Sequence, residues 1–246
     1  MAQICAELNV PHEVLTVTVP AGNLQAQARA ARYAALAAWA ERAGLVALLT
    51  AHQADDQAET LVLRLQRGSG AAGLAGVRAR GFVPGTRLPL LRPLLGYRRA
   101  ELAELVAAAG HEAIADPSNE DDRFDRARLR KALAGSNWLD VPALAASAAH
   151  LADADAALDW AAAREWSECV EKTAMGLTYR PTAPRAVALR VIARIVAELD
   201  GEAPRGAAVA RVFESLLARQ PASIGSLVAR VTPEGWSFTK APRRRS

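Results

Sequence analysis

The stretch LVALLT (45–50), followed at once by AHQADDQAET (51–60), limits what this chain can fold into more than any other feature. A short, unbroken apolar run is the pattern of a strand covered on both faces, as in parallel sheets. The next residues include His52, Asp55, Asp56 and Glu59. A buried strand could not continue through so many ionisable groups without partners, so the strand is expected to end there and a helix to begin. In an open parallel sheet that junction lies on the carboxyl edge, where ligands bind.

The neighbouring segments extend the pattern. HEVLTVTV (12–19) alternates and is rich in β-branched residues, which predicts a strand. Residues 22–44 predict a helix capped by Asn23 and stopped by Gly44. DDQAETLVLRLQRG (55–68) predicts a second helix, with Asp55 as an ordinary N-cap and Gly68 at its end. Strand, helix, strand, helix in that order argues for a parallel α/β fold. Residues 68–96 are rich in Gly, Pro and Arg, with TRLPLLRPLL (86–95) as the apolar anchor. A helix is expected at 98–109, a polar segment at ADPSNEDDRF (115–124) and a short helix over DRARLRKALA (125–134).

After Pro142 long alanine-rich helices are expected at 142–175 and 184–199, a shorter one at 207–218, and a closing hairpin that turns at TPEG (232–235). The terminal RRRS reads as a frayed tail. This change of character places a domain boundary near 135–142, dividing the chain into 1–138 and 139–246.

Charge is uneven. The net charge is only +4, yet eight arginines and no acidic residue lie between Thr60 and Ala100, which suits an anionic partner. Cys5 and Cys169 form no CxxC, so a zinc site or disulfide framework is not expected and a reducing, cytoplasmic setting fits. No apolar stretch reaches the roughly 20 residues of a membrane span, so no membrane partner is expected.

Asp56 and Glu59 are three apart and share a face of the first helical turn. Paired carboxylates there suit Mg²⁺, which takes one or two carboxylates plus substrate phosphates. His52 could hydrogen-bond a phosphate or move a proton. The plainer reading is that acidic residues favour the first turn of any helix through the backbone dipole.

TAHQADDQAETLVLRLQRGSGAAGLAGV (50–77), LLRPLL (90–95), DPSNEDDRFDRARLR (116–130) and GNLQAQARAARY (22–33) together resemble the tRNA(Ile)-lysidine synthetases of the PP-loop ATPase superfamily, in that family's order. The resemblance implies an α/β, parallel-sheet PP-loop domain (adenine nucleotide alpha hydrolase-like), incomplete at its N-terminus, followed by an all-α domain. It implies a ligase of tRNA modification. With ATP and Mg²⁺ it adenylates C2 of the cytidine at the first anticodon position of an isoleucine tRNA bearing a CAU anticodon. L-lysine then displaces AMP to give lysidine.

Carried over by position, the catalytic candidates are His52, Asp56, Glu59 and Arg32, with Asp56 the metal ligand and Arg29 a lesser companion to Arg32. Arg67, Gly68 and Gly70 of RGSGAAGLAG are candidates for nucleotide contact; no Gly-Lys-Ser/Thr follows, so this is not a Walker A loop. A helix C-cap before a flexible loop explains Gly68 as well. Arg126 and Arg130, four apart on one face, are candidates for tRNA phosphate, the alternative being surface pairs with Asp122 and Asp125. A homodimer is left open.

The family's SGGxDS loop is absent from this sequence, which begins at a point resembling the middle of the catalytic domain. The expectation is therefore an N-terminally truncated chain whose longer form restores the loop. The alternative is an inactive tRNA-binding fragment. An incomplete sheet is expected to expose an apolar flank. A PP-loop tRNA thiolase is disfavoured, because the CxxC pair such enzymes use is missing.

Overall fold

A computed structural model describes residues 1–19, 24–112, 125–136 and 138–241. The expectations at Asn23, at 115–124 and at the RRRS tail lie outside these residues. The chain divides into two compact units, Met1–Ala152 and Asp153–Ser246. The division falls inside a long helix.

The first unit contains α1 (Ala2–Glu7), α2 (Leu24–Arg42), β1 (Leu48–Leu49), α3 (Ala54–Gln66), α4 (Ala71–Leu74), β2 (Arg80–Phe82), β3 (Pro89–Leu91), α5 (Arg99–Ala108), α6 (Asp125–Ala134) and the start of α7 (Val141–Cys169). Its three strands run in the order β1-β3-β2. β1 is parallel to β3, with Leu48 opposite Leu90 and Leu49 opposite Leu91. β2 closes the sheet antiparallel to β3.

The strand expected at 12–19 does not form. A β-branched run becomes a strand only where a neighbour completes its ladder, and among the described residues none pairs with it. The parallel partner of β1 comes instead from TRLPLLRPLL, which the sequence marks only as an apolar anchor. β1 is an edge strand in this sheet; its Leu49 is exposed, as is Val46 just before it.

Tyr33 of α2 packs on Leu48, Val83 and Leu90 to form the small core under this sheet. α2 ends where expected. Gly44 adopts φ +65°, its N–H donates to the Glu41 carbonyl and the Leu45 N–H to the Ala40 carbonyl.

The second unit holds the end of α7, then β4 (Val170–Thr173), β5 (Gly176–Tyr179), α8 (Arg185–Asp200), α9 (Gly206–Leu217), β6 (Ala222–Ile224), β7 (Leu227–Thr232) and β8 (Gly235–Lys240). The three expected helices are present, and the hairpin turns at Thr232–Gly235. The hairpin, however, is the centre of a five-stranded antiparallel sheet, β4-β5-β8-β7-β6, so all-α is too narrow a description of this unit. The helix expected to reach residue 175 stops at Cys169 because Val170–Thr173 pairs with Gly176–Tyr179.

α8 buries Val187, Ala188, Val191, Ile192, Ile195 and Val196, a stripe at helical spacing. Each fully buried Val or Ile contributes about 1.5–3 kcal/mol. Opposite this stripe the sheet supplies Leu177, Tyr179, Leu227, Ala229, Trp236 and Phe238 to the same core. The Trp236 ring meets Phe213 and Tyr179 edge-on, at centroid distances of 5.6 and 6.0 Å.

One buried carboxylate joins the end of α7 to the approach to α8. Glu165 accepts hydrogen bonds from the Tyr179 hydroxyl (3.0 Å), the Thr182 amide (2.8 Å) and hydroxyl (2.9 Å), and the Ala183 amide (3.1 Å). Burial alone would raise its pKa, but the Thr182, Ala183 and Tyr179 donors together hold it below the ordinary 4.5. Its stabilisation is complete above that value and is lost as pH falls through the lowered folded value. Glu165→Ala should therefore cost about 2–4 kcal/mol near neutral pH, and less in acid, by denaturant unfolding at about pH 7 and about pH 3.

Candidate active site

The site stands at the carboxyl ends of β1 and β3. The parallel ladder runs one bond beyond the strands, from the Thr50 N–H to the Leu91 carbonyl at 3.0 Å. Thr50 then turns its hydroxyl to His52, with Oγ1 2.9 Å from Nδ1. This leaves Nε2 as the ring nitrogen available to a ligand.

α3 begins one residue earlier than its acids suggest. Gln53 is the N-cap, in extended conformation, and Asp55 and Asp56 are the second and third residues of the helix. Asp56 accepts the Gln53 N–H through Oδ2 at 3.0 Å. The dipole reading is thus right for one oxygen of Asp56 and leaves the other without a hydrogen bond among the described residues.

Asp55 is not the N-cap. It accepts the Arg99 backbone N–H at 2.7 Å and is gripped by Arg98 through Nε and Nη2, both at 3.3 Å. Burial works to raise its pKa, but the Arg99 amide and the Arg98 guanidinium outweigh it and lower the pKa.

Glu59 is buried, 1% exposed, and its carboxylate is neutralised by two arginines. Arg130 Nε lies 2.9 Å from Oε1 and Arg99 Nη2 3.6 Å from the same oxygen. This arrangement bears on two of the expected roles. Arg130 is not free to meet a tRNA phosphate without leaving the buried Glu59 carboxylate to Arg99 alone, 3.6 Å away. Nor does Glu59 offer an open pair of oxygens to a metal. Arg126, one turn earlier on α6, does reach an open surface.

Arg126, Arg29 and Arg32 line a cleft of about 1190 Å³ together with His12, Glu13 and Trp39, and the structure does not bring His52, Asp56 or Glu59 into that lining. Arg29 and Arg32 both lie over the Tyr33 ring, at 5.0 and 5.5 Å, so the aromatic on α2 holds two cations in place. Burial lowers the pKa of His52 below 6.5; Asp56 opposes the shift, and Arg92, Arg29 and Arg126 add to it.

The glycine-rich loop is pinned rather than open. Gly68 takes φ +63° as the residue closing α3, with the Ser69 N–H on the Arg64 carbonyl at 3.0 Å. Gly70 is the N-cap of the four-residue α4. Arg64 donates to the carbonyls of Gly73 and Gly76, and the Gln57 side-chain amide bonds both to the Val77 carbonyl (2.8 Å) and to its N–H (2.6 Å). Arg67 pairs with Asp125 at 3.5 Å, both exposed. Gly68 and Gly70 are thus accounted for by local geometry, and the structure brings neither they nor Arg67 into the cleft lining.

Among the described residues no group of three or more His, Cys, Asp or Glu side chains could hold a metal ion. Among the described residues Asp56 keeps one carboxylate oxygen free of hydrogen bonds, the other being held by the Gln53 N–H.

Sequence reasoning missed Asp55, Gln57, Arg98 and Arg99. A usable signal was present: an acid-rich turn without bases and an arginine-rich stretch without acids each need counterions from elsewhere. The pKa of His52 gives a direct check of the site's electrostatics. Folded His52 stays neutral while the unfolded residue takes a proton near 6.5, so this group's share of stability is lost as pH falls below that value. In an NMR titration the His52 midpoint should fall below 6.5, and Arg126→Ala should move it upward.

Comparison with known proteins identifies the family. A family described as PP-loop domain matches residues 1–136. The tRNA(Ile)-lysidine synthase of Novosphingobium aromaticivorans is 46% identical over 250 residues, covering 100% of this chain and 76% of the relative. That of Zymomonas mobilis is 38% identical with the same coverage of both chains. That of Ruegeria pomeroyi is 40% identical over 92% of this chain and 56% of its own length. With an acidic helix start on the carboxyl edge of a parallel pair, and relatives aligned along its whole length, the chain belongs to the PP-loop family and, within it, to the tRNA(Ile)-lysidine synthases.

Proposed function

We propose that the chain joins L-lysine to C2 of the cytidine at the first anticodon position of an isoleucine tRNA with a CAU anticodon, using ATP and an adenylated tRNA intermediate. The observation that carries this reading is the cleft edged by Arg29, Arg32 and Arg126, in a chain whose relatives are named for that product. In the first step the cytidine carbonyl oxygen bonds to the α-phosphorus and pyrophosphate leaves. In the second the lysine amine bonds to C2, AMP leaves and the amine gives up a proton.

The residues supply what each step demands. Arg29 and Arg32 are cations held over the Tyr33 ring before the reaction starts, and with Arg126 in the same cleft they can stabilise phosphate charge with little reorganisation. Neutral His52, with Nδ1 engaged by Thr50, can accept the amine proton at Nε2. Asp56 would hold Mg²⁺ together with nucleotide phosphates, and the ion would supply charge neutralisation when bound. Among the described residues no helix is long and apolar enough to cross a membrane, and a tRNA substrate suits the cytoplasm.

Asp56→Asn should abolish lysine-dependent AMP release while tRNA binding stays within a few-fold. Full activity in that variant would remove Asp56 from the mechanism. The tRNA affinity should fall as salt rises, with a log–log slope of about −2 to −3 if Arg29, Arg32 and Arg126 each neutralise a phosphate. A flat response would exclude the arginine edge as the docking face.

A further inference from the structure

We propose that Arg99 is a positioning residue of this site, holding two carboxylates of α3 at once and thereby setting the rotation of the acidic turn. The inference rests on the functional reading above for its turnover measurements, and on geometry alone for the clasp itself.

The starts of α3 and α5 cap each other. The Ala54 N–H, first in α3, donates to the Tyr97 carbonyl at 2.9 Å, just ahead of α5. The Arg99 N–H, first in α5, donates to Asp55 Oδ2 at 2.7 Å. Neither amide has an acceptor within its own helix, so each helix satisfies a donor that the other leaves orphaned. Arg98 adds its guanidinium to the same carboxylate. The Arg99 side chain then runs along α3 to Glu59, where it meets Arg130 arriving from α6.

Asp55 and Glu59 are four residues apart and so lie on one face of α3. Fixing both to the same residue of α5 prevents the helix from turning about its axis. Asp56 sits one residue, about 100°, around the helix from Asp55, and its carboxylate is tied to the Gln53 amide that follows His52. A rotation of α3 would therefore displace Asp56 and the peptide after His52 from their places at the carboxyl edge of β1 and β3. Displacements of about 1 Å at reacting groups can cost about a hundredfold in rate.

The Arg99 side chain is 41% exposed, and Glu59 keeps Arg130 when it is lost, so its removal is expected to alter alignment more than stability. Arg99 also explains why two arginines directly follow Tyr97: the first faces Asp55, and the second reaches past it.

Three substitutions separate the two contacts. Arg99→Gln removes the guanidinium and keeps the amide. Arg99→Lys restores a charge. Arg99→Pro removes both contacts yet suits the first position of a helix, and the extended Arg98 tolerates a following proline. In the full chain, Arg99→Gln should lower kcat for lysine-dependent AMP release about tenfold or more, with KM for tRNA within about twofold. Arg99→Lys should recover most of that loss, and Arg99→Pro should fall below Arg99→Gln, with thermal midpoints within a few degrees of wild type.

Wild-type kcat in Arg99→Gln would overturn the proposal. So would a joint loss of kcat, KM and stability that Arg99→Lys does not repair. If the wild type releases no AMP with lysine, the functional reading fails. The clasp is then judged by amide hydrogen exchange: protected Arg99 and Ala54 amides sustain it, and rapid exchange at both overturns it.

Discussion

The carboxylate of Glu59 is the contact on which the first unit depends. It is buried, charged and, among the described residues, compensated by arginines that arrive from two other helices, Arg99 at the start of α5 and Arg130 in α6. A carboxylate removed from water and left unpaired would cost several kcal/mol, so α5 and α6 are obliged to meet α3 at this one position. Arg126 comes to the cleft because it lies one turn from an arginine that Glu59 has already fixed.

The same helix organises the rest of the site through side chains rather than through its acids alone. Gln57 pairs with both backbone groups of Val77, and Arg64 collects the carbonyls of Gly73 and Gly76. Gly76 has φ +65°, and a Cβ there would collide with the Gln57 amide, which makes glycine a requirement of close approach. A glycine-rich segment that looks suited to a phosphate therefore serves first to fold a loop back on α3. The charges that surround His52 are left to arginines on separate elements, Arg29, Arg92 and Arg126, with Asp56 opposing them.

Much of this was legible in the sequence, and the parts that were not share a cause. The apolar run at 45–50 and the acid-rich turn placed β1, the carboxyl edge and α3 correctly to within a few residues. Gly44 and Gly68 marked helix ends because only a residue without a Cβ takes a positive φ there cheaply. HEVLTVTV has every local property of a strand and is none, because pairing is a property of two segments. The sheet of the second unit was seen only as its closing hairpin. VEKT and GLTY are too short and too polar to announce themselves, and become strands through the register Val170–Tyr179 and Tyr179–Trp236.

By itself the sequence determined most helices and their stops, since these follow from periodicity and backbone freedom, while its ordered motifs carried the resemblance that names the family. Only the tertiary structure decided the roles of Asp55, Glu59, Arg99 and Arg130. Nothing in the separation of Glu59 from Arg130, or of Asp55 from Arg99, encodes which cation will neutralise which acid. That choice is made by burial, which raises the cost of an unpaired charge until the chain brings its complement from wherever the fold can supply one.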